Sequence, residues 1–247
     1  MMIRHTPTDR RVRADDVVDT TRALLVWEPR RVVPTYAVPE DDVRGEVVPG
    51  GEVAEDVDGV LHPGIPFAVH TAPGEPVLVA GRAGFRLEAL PGYAVLDFSA
   101  FDAWYEEDER VFGHPRDPFH RVDVRRSSRP LRIELDGIAL AETTSVRMLF
   151  ETSLPTRFYV PKEDVAVGLR PSARRSYCPY KGQATYWSSD AAEDIAWSYE
   201  DPLPELAVIK GLVAFWDERV DVMLDGQSRS RPGGAVAAAL ADEFGVS

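Results

Sequence analysis

One cysteine, Cys178, stands in a chain of 247 residues. An internal disulfide is therefore excluded, and a secreted β-rich domain of this kind would normally carry paired cysteines. No apolar run reaches the roughly 18 residues that a membrane-spanning helix needs. The opening Met1-Met2-Ile3-Arg4-His5 leads straight into charge, without the apolar stretch of a secretory signal. Positive charge is also scarce, since 28 Lys and Arg stand against 41 Asp and Glu, a formal net charge of -13. Sequence-independent affinity for nucleic acid comes from clustered Lys and Arg, and the one basic cluster, residues 121–132, is interrupted by Asp123. These shortages predict a cytoplasmic protein with no nucleic-acid partner and no membrane partner.

What is present is enough for a packed core. Hydrophobic residues make up 44% of the chain and aromatics 9%, more than a disordered chain would carry. The length accommodates two domains of about 110 residues each. A repeat supports that division. Asp19-Thr20-Thr21, the apolar run after it and Trp27-Glu28 parallel Glu142-Thr143-Thr144 with Phe150-Glu151. Next, Tyr36-Ala37-Val38-Pro39-Glu40-Asp41-Asp42-Val43 parallels Phe158-Tyr159-Val160-Pro161-Lys162-Glu163-Asp164-Val165. A third, weaker match sets residues 62–70, beginning His62-Pro63, against 178–186, beginning Cys178-Pro179. Three matches in one order predict a diverged N-terminal repeat at 1–113, a Pro-rich joint at 114–130, a C-terminal repeat at 131–226 and a flexible tail at 227–247.

Local patterns predict mainly β structure with short helices, two small barrel-like or tent-like domains. Leu131-Arg132-Ile133-Glu134-Leu135 alternates with period two and meets Asp136-Gly137, a strong hairpin signal. Residues 157–160, 183–188 and 195–199 are short runs rich in aromatic or β-branched residues, bounded by breakers, and they read as strands. In 204–216, Leu206, Ile209, Val213 and Trp216 fall at helical spacing behind Pro204, which predicts a helix leading into a strand at 219–224. Residues 99–108, with Phe101, Trp104 and Tyr105, read as its counterpart in the first half.

The second half resembles a bacterial family, the domain of unknown function 427. The residues that carry the likeness are Phe150-Glu151-Thr152-Ser153-Leu154-Pro155-Thr156-Arg157-Phe158-Tyr159-Val160-Pro161, Cys178-Pro179-Tyr180-Lys181-Gly182, Tyr186-Trp187, Ala196-Trp197-Ser198-Tyr199 and Asp217-Glu218-Arg219-Val220-Asp221. The resemblance covers residues 131–226 and implies a small β-rich domain. The first half is similar only through Trp27-Glu28 and the landmarks from Val38 to Val43. The family has also been labelled nucleotidyltransferase-like. Gly50-Gly51 with Asp56 and Asp58 superficially fits that chemistry, in a polar loop without a counterpart in the second half.

Cys178, Lys181 and Glu151 are the candidate catalytic groups. Lys181 follows Cys178 by three residues within a turn, where an ammonium favours the thiolate that attacks in covalent catalysis. The competing reading is a buried thiol that packs as a small hydrophobe. Glu151 is a candidate general base, or a structural acceptor paired with Arg147 at i,i+4 if the segment is helical. Arg147, Arg157, Tyr159, Tyr180, Tyr186, Trp187 and Trp197 supply the cations and aromatic walls of a substrate pocket, against a reading as plain sheet packing. His114, Asp117 and His120 have crudely ligand-like spacing, but Pro115 and Pro118 make that stretch a rigid loop. No metal site and no cofactor are expected.

Two functions of different class follow. One is an enzyme acting on a small anionic or acyl-type molecule in the second domain. The other is a non-catalytic small-ligand or scaffold module.

Overall fold

Strands dominate both halves of the chain. The computed structural model describes residues 2–27, 33–50, 68–71 and 74–233. It divides the chain into two units, Met1–Phe119 and His120–Ala238.

In the first unit β1 is Met2–Pro7, β2 Val12–Ala14, β3 Val18–Thr20, β4 Leu24–Trp27, β5 Thr35–Pro39 and β6 Val47–Pro49. Then come β7 Ala68–Thr71, β8 Gly74–Val79, β9 Arg82–Leu87, β10 Tyr93–Leu96, β11 Trp104–Glu106 and β12 Glu109–Val111. An eight-stranded sheet has the order β6-β8-β9-β10-β5-β4-β1-β7, and a four-stranded sheet the order β12-β11-β2-β3. Trp27, Tyr36, Val38 and Val77 from the first sheet meet Val12, Val18 and Trp104 from the second in one buried core.

In the second unit β13 is Val122–Ser127, β14 Leu131–Leu135, β15 Ile138–Thr143, β16 Val146–Glu151, β17 Arg157–Val160 and β18 Arg170–Cys178. The chain continues with β19 Gly182–Ser188, β20 Ala196–Ser198, β21 Val213–Phe215, β22 Asp221–Leu224 and β23 Gln227–Ser228. A seven-stranded sheet has the order β13-β16-β17-β21-β20-β19-β18, and a four-stranded sheet the order β15-β14-β22-β23. Ile133, Leu140, Val222 and Leu224 of the small sheet pack on Met148, Phe158, Val213 and Phe215 of the large one. A fully buried phenylalanine such as Phe158 contributes about 2–3 kcal/mol by leaving water. Asp136 and Gly137 turn β14 into β15 with φ of 50° and 78°, the doubly left-handed geometry that the Asp-Gly pair predicts.

Several expectations need correction. Neither unit shows a closed barrel among the described residues, because the strands split into two open sheets with unpaired outer strands. Residues 204–216 are not one helix. Pro204–Ile209 is a 3-10 run broken at Leu206, and Val213–Phe215 is a strand. The reason is two-sided burial, since Val213 and Phe215 face one core while Ala214 faces another, which a helix stripe cannot arrange. Similarly, 99–108 becomes a short 3-10 turn, Phe98–Ala100, and then β11. The expected joint at 114–130 contains β13, whose six residues pair with β16 from Val122 opposite Glu151 to Ser127 opposite Val146. The second unit thus begins before the prolines end. Residues 51–67, which include His62, Asp56 and Asp58, and the end of the tail, 234–247, lie outside the described residues. His70 falls on β7, which pairs with β1, so it does not take the place that Tyr186 has on β19.

Candidate functional site

Cys178 ends β18 and Gly182 begins β19 directly opposite it, so Pro179, Tyr180 and Lys181 form the turn. Lys181 N donates to Cys178 O at 3.2 Å, and Leu203 N donates to Lys181 O at 3.1 Å. The segment 201–203 therefore lies against the turn, and the left-handed backbone at position 182 favours glycine. Gly182 has φ of +98°, and a Cβ there would meet Asp201 O at 3.4 Å. Gly182→Ala is expected to cost about 1–3 kcal/mol in urea denaturation, the usual strain of a left-handed non-glycine residue.

The sheet is curled at this corner. β17, β21 and β20 separate β16 from β19, yet Lys181, just before β19, binds Glu151, the last residue of β16. Lys181 Nζ donates to both carboxylate oxygens, at 2.7 and 2.6 Å, and the two side chains are 10% and 6% exposed. The same carboxylate takes a third donor, His120 Nε2, at 3.0 Å. Tyr180 stacks on the His120 ring with centroids 4.4 Å apart. Burial disfavours the Glu151 carboxylate, but Lys181 and His120 overcome it and hold its pKa at about 2. Burial also opposes the Lys181 ammonium, and the Glu151 carboxylate outweighs it, raising the lysine above its ordinary value. Both groups are charged at neutral pH.

The face under the curl carries a buried cluster of Leu149, Tyr159, Ala184, Tyr186, Trp197, Tyr199 and Ala214, covered in part by Leu206 and Ile209 of the 3-10 run. Trp197 Nε1 donates to Tyr159 Oη at 3.2 Å, and the Tyr186 hydroxyl lies 2.8 Å from Ser176 Oγ. Burial raises the phenols of Tyr159 and Tyr199, and the half-buried Cys178 lies near both. Arg157 grips Glu218 with two bonds of 2.8 and 2.6 Å and covers Trp197 and Trp216.

The structure brings together Cys178, Tyr180, Lys181 and Glu151, and places Tyr159, Tyr186 and Trp197 on the same curled face. Trp187 does not join them. Strand alternation turns it to the opposite face, where Nε1 donates to Ser198 Oγ at 2.8 Å and Lys162 Nζ sits 4.3 Å from its ring. Arg147 does not pair with Glu151, because the segment is a strand and four residues span about 13 Å there. It instead stands across from Arg126 and Tyr159, and neither arginine has a carboxylate partner among the described residues. Arg157, expected to meet a ligand, is already occupied by Glu218. His114 Nδ1 faces Pro115 O at 2.7 Å, Asp117 accepts from Phe119 N at 2.7 Å and His120 faces Glu151, so these three do not form a ligand set. Among the described residues no group of three His, Cys, Asp or Glu converges in a metal-like cluster. His120, read from the sequence only as part of a ligand-like spacing, proves to face Glu151. The signal for His120 was the pairing of residue 122 with 151, hidden by reading 114–130 as a joint.

These features define the class: a β domain of two open antiparallel sheets whose larger sheet curls over an aromatic face and is pinned there by a buried Glu-Lys-His network. Residues 123–226 match the family described as Domain of unknown function (DUF427). No curated protein matches the chain. No helix among the described residues is long and apolar enough to cross a membrane.

Proposed function

We propose that the C-terminal unit holds a small-molecule site at the corner where the turn between β18 and β19 meets β16, and that its ligand is an anionic or acyl-type compound. The observation that carries this reading is Glu151, a buried carboxylate shared by Lys181 and His120 beside the only cysteine of the chain. A buried charged network is a poor way to gain stability, because desolvation offsets most of the attraction. The anionic class draws support from Arg147 and Arg126, cations opposite one another with no carboxylate partner among the described residues. Directly opposed like charges disfavour pairing unless an anion lies between them. As an enzyme the site uses Cys178 as nucleophile, with Lys181 and Glu151 as the charged pair beside it.

The second reading, a non-catalytic ligand or scaffold module, draws support from the bidentate occupation of both Lys181 and Arg157. Alkylation by iodoacetamide at pH 7 separates the two. The enzyme reading expects Cys178 to react faster in the native protein than in the urea-unfolded chain, with Lys181→Met abolishing the difference. A thiol that stays inert until unfolding removes Cys178 as nucleophile and leaves the binding module.

We also infer that the N-terminal unit is a diverged copy of the C-terminal one. Reading β18-β19-β20-β21-β17-β16-β13 beside β6-β8-β9-β10-β5-β4-β1 matches the large sheets strand for strand, with β7 as an addition. Thr20 Oγ1 donates to Asp42 at 2.6 Å and accepts from Arg22 N at 2.9 Å, and Thr143 Oγ1 makes the same bonds to Asp164 and Ser145 N at the same lengths. The placement of the whole protein in the cytoplasm rests on its single cysteine.

A further inference from the structure

Asp217 sits in the turn that joins β21 to β22 and is 6% exposed. Arg219 N and Val220 N both donate to Trp216 O, at 2.8 and 3.1 Å, winding the turn tightly around the Asp217 side chain. Its Oδ1 has no hydrogen-bond partner among the described residues. The charged groups that act on it are Arg157 from β17, Glu218 from the same turn and Arg229 from beyond β23. Arg157 turns both terminal nitrogens to Glu218 and lays its guanidinium over Trp197 and Trp216 at 5.6 and 5.5 Å, and none of its remaining N–H groups bonds Asp217 Oδ1. Arg229 lies over the Phe158 ring at 5.3 Å. An ionised carboxylate in this place would be buried beside a second carboxylate, with a backbone hydrogen bond but with Oδ1 unpartnered, which is disfavoured. Burial accordingly raises Asp217 to about 7, against the pull of Arg157 and with help from Glu218.

We propose that Asp217 is a proton switch for the arginine and tryptophan face of the C-terminal unit. Protonated, it leaves Arg157 to Glu218. Ionised, it gives its proton to solvent and draws the Arg157 guanidinium from Glu218 and off the two indole rings. The exchange is feasible because the Glu218 side chain is 30% exposed and water can take over its charge. The number of ion pairs is unchanged, so small differences in protonation decide the arrangement.

Tryptophan emission of the full chain, followed from pH 5 to 9, tests this, because Trp197 and Trp216 lose a cation from their faces. The wild type is expected to show a one-proton transition near neutral pH that Asp217→Asn abolishes. In Glu218→Gln the transition should move to lower pH by a unit or more, since Arg157 then has no competing carboxylate. A flat wild-type titration, or a transition that persists in Asp217→Asn, overturns the proposal. Should Asp217→Asn fail to fold, carboxyl carbon NMR of the wild type decides: titration of Asp217 near pH 7 supports the switch, and titration near pH 4 overturns it.

Discussion

Glu151→Ala is expected to lower the unfolding free energy by about 3–5 kcal/mol, the usual cost of removing one partner from a buried ion pair. The substitution leaves the Lys181 ammonium almost fully buried with no carboxylate, and it removes the acceptor of His120. Lys181→Ala should cost a similar amount for the mirror reason. Replacing both, as Glu151→Ala with Lys181→Ala, should cost far less than the sum, because neither buried charge is then stranded. Urea denaturation of the four proteins measures this coupling. Single losses below about 1 kcal/mol would mean that water reaches the pair and that the curl is held by apolar packing alone. The network also has a pH signature. Because the folded pKa of Glu151 is about 2 and its ordinary value 4.5, its contribution is present above about pH 4.5 and is lost as pH falls toward 2. The shift is worth roughly 3 kcal/mol.

Asp217→Asn should have the opposite sign. In the folded protein Asp217 titrates at about 7 against an ordinary 3.8, so between these values the native state holds a proton that the unfolded chain has released. Stability therefore falls as pH rises through this window and levels off above it. The asparagine variant lacks that slope. It should match the wild type near pH 3.5 and exceed it at pH 8 by about 2–4 kcal/mol. Thermal melts at the two pH values check this, and a variant less stable than wild type at pH 8 contradicts it. Together Glu151 and Asp217 favour a stability maximum at roughly pH 4 to 5.

What could be read from the chain followed how local the interaction is. The Asp136-Gly137 hairpin and the turn of Cys178-Pro179-Tyr180-Lys181-Gly182 are set by residues adjacent in sequence, and both appear where their residue types demand. The Thr-Asp bond that recurs in both units lies within parallel segments already recognisable by eye. Spacing misled where two periods coincide. Leu206, Ile209, Val213 and Trp216 suit a helix, but Val213 to Phe215 is buried on both sides in the middle of a sheet, where alternation carries no information. The reading of Arg147 with Glu151 failed for the same cause, since a pairing rule for helices was applied to a strand.

The sequence by itself determined the β-rich character, the Asp136-Gly137 hairpin, the absence of an internal disulfide and the place of the most polar motif. Tertiary structure alone decided which charges meet. Lys181 finds Glu151 across 30 residues and three intervening strands, and Arg157 finds Glu218 across 61. Sheet order and curl set these partners, and burial then decides which carboxyl keeps its proton. Glu151, with donors from Lys181 and His120, stays ionised, and Asp217, whose Oδ1 has no donor among the described residues, holds its proton. Coulomb attraction and desolvation depend on distance and enclosure, which no stretch of chain specifies until the sheet has closed over it.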